Sequence, residues 1–142
     1  MALVQRRAAV TPLITQPEFF SDFTSDFEIG DVRKDMVRLT NEEAVKSSIR
    51  NLLLTNRGDR LFNPTLGSDI RSLMFENASP VQEQLLVEYI TKTIENYEPR
   101  ANLLSVQVNT EIDQHAVYAT IAFSIINKQE PVVFDLILNR IR

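Results

Sequence analysis

A chain of 142 residues is long enough for one domain with a real core and leaves little room for a second. Apolar residues at 44% and charged residues at 24% are ordinary globular values, which exclude disorder of the whole chain. A net charge of −4 and a pI of about 5.0 exclude an overall basic field for DNA or an anionic membrane, and the lack of cysteine excludes disulfides and zinc–sulfur sites.

Residues 1–39 read as an N-terminal arm. After Arg6 and Arg7, the polar and proline positions Thr11, Pro12, Thr15, Gln16 and Pro17 interrupt any signal-peptide core. No run reaches the ~20 apolar residues that a membrane helix needs, so partners other than membrane and nucleic acid are expected. Ser21, Asp22, Thr24, Ser25 and Asp26 favour turns over helix. Yet Phe19, Phe20, Phe23 and Phe27 stand among them. Such an arm is expected to dock, either on its own domain or on a neighbour, because solvated phenylalanines forgo the stabilisation of burial.

Residues 40–142 read as a single α+β domain. Thr40 and Glu43 have capping-box spacing, and Val45, Ile49, Leu52 and Leu53 follow on one helical face, up to about Thr55. Asn56-Arg57-Gly58-Asp59 is a turn, and Arg60 to Gly67 an irregular connector through Pro64. Ser68 is placed to cap a short helix through Ile70, Leu73 and Met74. Ser79-Pro80, with Gln82 as a second capping box, opens a longer helix. Its apolar stripe is Val81, Leu85, Tyr89 and Ile94, widened by Leu86, Ile90 and Tyr97, and Pro99 ends it by Glu98.

Beyond that proline the period changes to two. Leu104, Val106, Val108 and Ile112 alternate with polar residues, Asp113-Gln114-His115 turns, and Val117, Ala119, Ile121, Phe123 and Ile125 alternate again. Asn127 to Pro131 makes a second turn before a last strand from Val132 to Ile141. The expected fold is therefore an N-terminal arm and helices followed by an antiparallel three-stranded meander. On the last strand Val132, Phe134, Leu136 and Leu138 point one way while Val133, Ile137 and Ile141 point the other. An edge strand apolar on both faces needs a cover. The residues alone favour this chain's own helices over an added strand from another chain, since most edges are managed internally.

Catalytic and metal-binding patterns are absent. His115 is the one histidine and falls in a turn, Gly67-Ser68 lacks the surroundings of a nucleophile elbow, and three glycines make no phosphate-cradling loop. Asp22, Asp26, Glu28 and Asp31 match no calcium loop, so no metal or cofactor is expected. Arg57 and Arg60 read as local ion-pair partners. Asp69 and Glu76 are an imaginable glycosidase pair, but nothing in their spacing singles them out. Glu98-Pro99-Arg100 reads on its own as a helix stop with a local ion pair, Arg100 being favoured at a helix C-terminus and Glu98 needing a cation there.

Four segments occur in unbroken order: Ser48-Ile49-Arg50-Asn51-Leu52-Leu53-Leu54-Thr55; Gly58-Asp59-Arg60 with Phe62, Pro64 and Gly67; Leu73-Met74-Phe75-Glu76-Asn77; and Asn96-Tyr97-Glu98-Pro99-Arg100 ahead of the strands. Together, over roughly residues 20–142, they resemble the sheath-initiator baseplate wedge family of contractile phage tails, some of whose members are labelled lysozyme-like. The usual Glu of that pattern is Asp59 here, a change that keeps the charge.

The resemblance implies a structural virion protein, not an enzyme, in the tail baseplate and assembled in the host cytoplasm. Six copies would surround the tail tube, in contact with other baseplate wedge proteins, the tail sheath protein and tail tube or tube-initiator proteins. It assigns Glu98, Pro99 and Arg100 to wedge-partner binding, with Arg100 replaceable without unfolding. It also shifts the last strand, Val132, Val133, Phe134, Ile137 and Ile141, from self-covering to pairing with arms of the first sheath ring. The equivalent part of a bacterial contractile secretion or injection system is the alternative, and a peptidoglycan-cleaving enzyme the more distant one.

Overall fold

A computed structural model describes residues 18–25, 29, 35–76, 79–111, 116–126 and 128–139. Phe27, Ile112, His115 and Ile141, with Asp26, Glu28, Asp31, Asn77 and Asn127, lie outside the described residues. The elements are β1 (Ser21–Phe23), β2 (Arg38–Thr40), α1 (Glu42–Leu54), α2 (Ile70–Met74), α3 (Pro80–Tyr97), β3 (Ala101–Glu111), β4 (Ala116–Ile125) and β5 (Lys128–Asn139). The main sheet is an antiparallel meander in the order β3-β4-β5, and β1-β2 is a separate antiparallel ribbon. The expected α+β order of helices before a three-stranded sheet is the observed one.

One face of the sheet is buried under the helices. Val117, Ala119, Ile121, Phe123 and Ile125 of β4 and Val132, Phe134, Leu136 and Leu138 of β5 meet Val45, Ile49, Leu53, Leu86, Ile90 and Ile94 in a single core. Each such side chain, fully buried, is worth ~1.5–3 kcal/mol, so this layer dominates the stability. The α3 stripe is rotated from the expected one. Gln82, Leu86, Ile90, Thr93 and Ile94 are buried, whereas Val81 is exposed and Leu85 and Tyr89 flank the core.

Local polar chemistry departs from the expected caps in three places. Thr40 closes β2 rather than capping α1; the N-cap is Asn41, at φ 46° and ψ −106°, outside the left-handed region in which asparagine is usually found. Its side chain makes no cap bond to α1. Instead its amide oxygen accepts the Phe19 and Phe20 N–H groups at 2.9 and 3.4 Å, and its own N–H donates to the Phe20 carbonyl at 2.8 Å, fastening the arm to the helix start. Ser68 is buried and donates to the Leu53 carbonyl at 2.7 Å, leaving Asp69 at the N-cap of α2. Ser79 does cap α3, accepting from Gln82 N–H at 3.2 Å, but the Gln82 side chain donates to the Leu73 carbonyl at 2.5 Å and ties α3 to α2.

The strands differ at two irregularities. A bulge between Leu103 and Ser105 puts Leu104 on the solvent side, so the inward set is Ala101, Leu103, Val106 and Val108. Strand β5 begins at Lys128, not Val132: Pro131 pairs with Ser124 inside it, which an edge strand permits because one row of its N–H groups is unpaired anyway.

The connector between α1 and α2 closes on itself. Ser68 N–H donates to the Thr55 carbonyl at 2.9 Å and Gly58 N–H to the Pro64 carbonyl at 2.9 Å. Gly67 has φ +118°, and a Cβ there would stand 2.5 Å from the Thr55 carbonyl oxygen. Gly67→Ala is therefore expected to cost roughly 3 kcal/mol, by positive-φ strain plus the clash. Gly58→Ala, at φ +89° with nothing within 4 Å, carries strain alone and should cost about 1 kcal/mol. Urea midpoints of the two variants check the ranking.

Candidate functional site

Two surfaces carry the residues singled out by sequence. The first is the corner where α3 turns into β3. Pro99 ends the helix, and Glu98, the C-cap, turns its side chain inward to 2% exposure. Arg100 grips that carboxylate with two bonds, Nε to Oε1 at 2.5 Å and a terminal nitrogen to Oε2 at 2.8 Å. Burial pushes the Glu98 carboxyl up, but hydrogen bonds from Arg100 and from Ser48 on α1, with the Arg100 charge, outweigh it and hold the group below the usual carboxylate range. Arg100 also lies over the Phe20 ring at 5.5 Å. The guanidinium thus joins the arm to the α3–β3 corner, and the Glu98 carboxylate joins that corner to α1. The ion pair expected from sequence is present, yet it is structural as well as local, a depth the tripeptide does not reveal. Its outward part is exposed Pro99 and the Arg100 side chain, 31% accessible.

The second surface is the outer border of β5. Val133 and Ile137 are 59% and 55% exposed, while their neighbours Val132, Phe134, Leu136 and Leu138 are core. On the same open face, Tyr118 stands opposite Ile137 and Ala122 opposite Val133, and Thr120 donates to Asp135 at 2.8 Å. On this face β5 carries two exposed apolar side chains, whereas β3 offers Asn102, Gln107 and Asn109 and a single one, the bulged Leu104. Among the described residues no strand pairs with β5 on its far side. The other border is different: Glu83 of α3 accepts the Thr110 N–H at 3.2 Å, and the bulge at Leu104 bends it. Two borders exist, and β5 is the smoother and more apolar one.

Of the arm residues, Phe20 packs on the domain core, whereas Phe19 and Phe23 are exposed.

A family model described as "Baseplate wedge protein gp25" matches residues 39–130, from β2 into the start of β5. The chain belongs to this baseplate wedge family. The baseplate wedge protein gp25 of Enterobacteria phage T4 is 29% identical over 115 residues, covering 81% of this chain and 86% of that protein. A putative tail lysozyme from Geobacter sulfurreducens shares the fold with a TM-score of 0.69 and 24% identity, over 75% of this chain and 97% of that one. A chain in the anti-feeding prophage baseplate does so at a TM-score of 0.53 and 20% identity, over 84% and 80%.

In this wedge-family chain, one of the two carboxylates that the lysozyme label brings to mind is engaged by a cation and only one lines a cleft. Asp69 is bound to Arg57 at 3.2 Å and lines a shallow cleft of about 240 Å³ with Asn56, Ser68, Arg71, Ser72 and Phe75. Glu76 does not line that cleft. A larger apolar cleft of about 280 Å³ lies between the α1–α2 end and the tip of β5, walled by Leu53, Leu54, Ile70, Met74, Phe75 and Ile137. It contains no acid or nucleophile: Asn56, Arg71 and Asn139 are its polar residues. Among the described residues no group of three His, Cys, Asp or Glu is arranged for a metal.

Asn41 and Glu83 were not singled out by sequence, and Ser48 only as the first residue of a matched segment, with no role. Their types are unremarkable, and only the tertiary path brings them to the arm, to Glu98 and to the β3 border. The Asn41-Glu42-Glu43 start offered one cue, a cap-type residue next to Thr40.

Proposed function

We propose that this wedge-family chain is a non-catalytic sheath initiator: the β5 border is a template to which an extended arm of the first sheath ring adds as a further strand, while the Pro99–Arg100 corner seats the domain on neighbouring wedge proteins. The reading rests on one observation, a border strand whose inner residues are core and whose outer-face residues Val133 and Ile137 remain more than half exposed. Open backbone groups supply affinity to an added strand and alternate side chains supply register. Family membership is what makes the sheath the partner favoured here, with six copies ringing the tube in a virion baseplate assembled in the host cytoplasm. The likeness to a chain of the anti-feeding prophage baseplate favours, as a second reading, the same role in an injection system, and the neighbouring genes decide between them.

Amide hydrogen exchange tests the template. Outward amides of residues 132–139 should exchange freely in the isolated protein and become strongly protected in the assembled tail. Equal exchange in both states would overturn the proposal. Purified protein should show no turnover of peptidoglycan.

A further inference from the structure

Among the described residues, Asn41 is the one non-glycine position with positive φ. At φ 46° and ψ −106° its backbone lies near the mirror image of the extended region, which glycine enters freely and a residue with a Cβ resists. Such a conformation persists only where the surroundings impose it. Here the arm imposes it. The Asn41 amide oxygen accepts the Phe19 and Phe20 N–H groups, and the Asn41 N–H donates to the Phe20 carbonyl. The residue before it, Thr40, is paired with Ser21 of β1.

Asn41 is also the N-cap of α1, the position from which an asparagine side chain ordinarily accepts an N–H of the first helical turn. It makes no such bond, and its oxygen is turned to the arm instead. A capping residue has extended backbone angles, so Asn41 cannot hold the arm and cap the helix at once. Two arrangements exclude each other: arm bound, with a strained backbone and no side-chain cap on α1, or arm free, with an ordinary backbone and α1 capped. What opposes release is chiefly Phe20, which packs on the core with its ring 5.5 Å from the Arg100 guanidinium. The Glu18–Arg38 ion pair is exposed and adds little. Phe19 and Phe23 are exposed already and lose no burial on leaving.

We propose that residues 18–23 are a releasable strap and that Asn41 is its latch: departure of the strap is offset by relief of the Asn41 backbone and by a new cap on α1. The two events are one switch between discrete states, with Thr40 freed from Ser21 in the same step. The strap therefore leaves without loosening the helix to which it was fastened, and presents Phe19, Phe20 and Phe23 together on one free segment. The device belongs to this chain alone and is independent of the contacts assigned to β5 and to the Pro99–Arg100 corner.

Amide exchange of the full chain, followed residue by residue by NMR, tests it. In the unaltered protein the Phe19, Phe20 and Asn41 amides should open together at one rate, much faster than Ile49 and Leu53 within α1. Phe20→Ala should speed exchange at Phe19 and Asn41 tenfold or more. In the same variant exchange should slow about fivefold at Glu43 or Ala44, the two N–H groups that an N-cap reaches. Scalar couplings should show φ of Asn41 turned negative. An arm that is merely a fixed part of the fold predicts the reverse at α1, since losing a neighbour loosens the first turn. Asn41→Gly lacks both the acceptor and the cap, so it should free the strap with no gain at Glu43 or Ala44. The latch is overturned if Phe20→Ala leaves the strap protected, if Asn41 keeps its positive φ once the strap has left, or if neither Glu43 nor Ala44 slows. Phe20→Leu carries the same three readouts should Phe20→Ala not fold.

Discussion

Val133→Lys combined with Ile137→Lys is expected to give a folded protein on which no sheath grows. Both side chains are more than half exposed and neither belongs to the buried core, so the stability of the isolated chain should move by about 1 kcal/mol or less. An added strand would set its own side chains beside these two, where the unaltered border offers a branched apolar ridge flanked by Tyr118 and Ala122. Two ammonium groups there must either be desolvated by the incoming strand or prop it away, and lysine on an edge is a common natural barrier to pairing. The readout is sheath polymerised on baseplates carrying the variant, with incorporation of the chain into the wedge as the control. Sheath of normal length on variant baseplates would remove β5 as the template.

Arg100→Ala is expected to lower the stability of the isolated chain by about 3 kcal/mol, since it strands a buried carboxylate. The partial exposure of the arginine and the Ser48 bond keep the loss from being larger. Glu98→Gln in the same chain should restore part of it, because an amide is cheaper to bury than an unpaired charge. The pH dependence has a defined sign. In the unaltered protein the Glu98 pKa is lowered on folding, so its contribution is present at neutral pH and is lost as pH falls through the carboxylate range. Without Arg100 burial dominates and the folded pKa rises above the unfolded one, a penalty that is relieved by protonation. The stability gap between the two proteins should therefore close on acidification. A gap of under 0.5 kcal/mol at neutral pH, measured by urea unfolding, would show that Arg100 is not the partner that matters. Pro99→Gly probes the wedge contact without removing the Glu98–Arg100 pair.

The parts of this fold legible in the sequence are those where one periodicity runs unopposed. Val45, Ile49, Leu52 and Leu53 mark α1, Pro99 stops α3, and the alternation from Val117 to Ile125 marks the central strand, which has pairing partners on both sides and little freedom to deviate. The two-sided apolar run of β5 was legible for the same reason, since Val132 to Leu138 is apolar at six of its seven positions with Asp135 the exception; that its outer row stays exposed was not, because the residues alone favoured cover by the chain's own helices. Illegible features came from tertiary competition for polar groups. Thr40 and Ser68 are good caps in isolation, yet β2 and the Leu53 carbonyl claim them. Glu98 is written as a surface charge and spends itself inside because Ser48 and Arg100 converge on it from elements distant in sequence or just beyond a proline. Phe62 gives no cue to its full exposure either, since a loop phenylalanine is ordinarily tucked in and only the closed connector, held by the Tyr97 Oη bond to the Thr65 carbonyl, turns it outward.

The bulge on β3 has a consequence for chain length. Leu103 pairs with Phe123 and Ser105 with Ala122, so Leu104 is a supernumerary position with no partner of its own. A chain lacking it would realign as uninterrupted alternation, with Ala101, Leu103, Val106 and Val108 still inward. Deleting Leu104 should thus be tolerated where removal of Val106 or Gln107 would turn the rest of the strand inside out. Gaps of one residue among family members should gather at this point, and nowhere else along the strand.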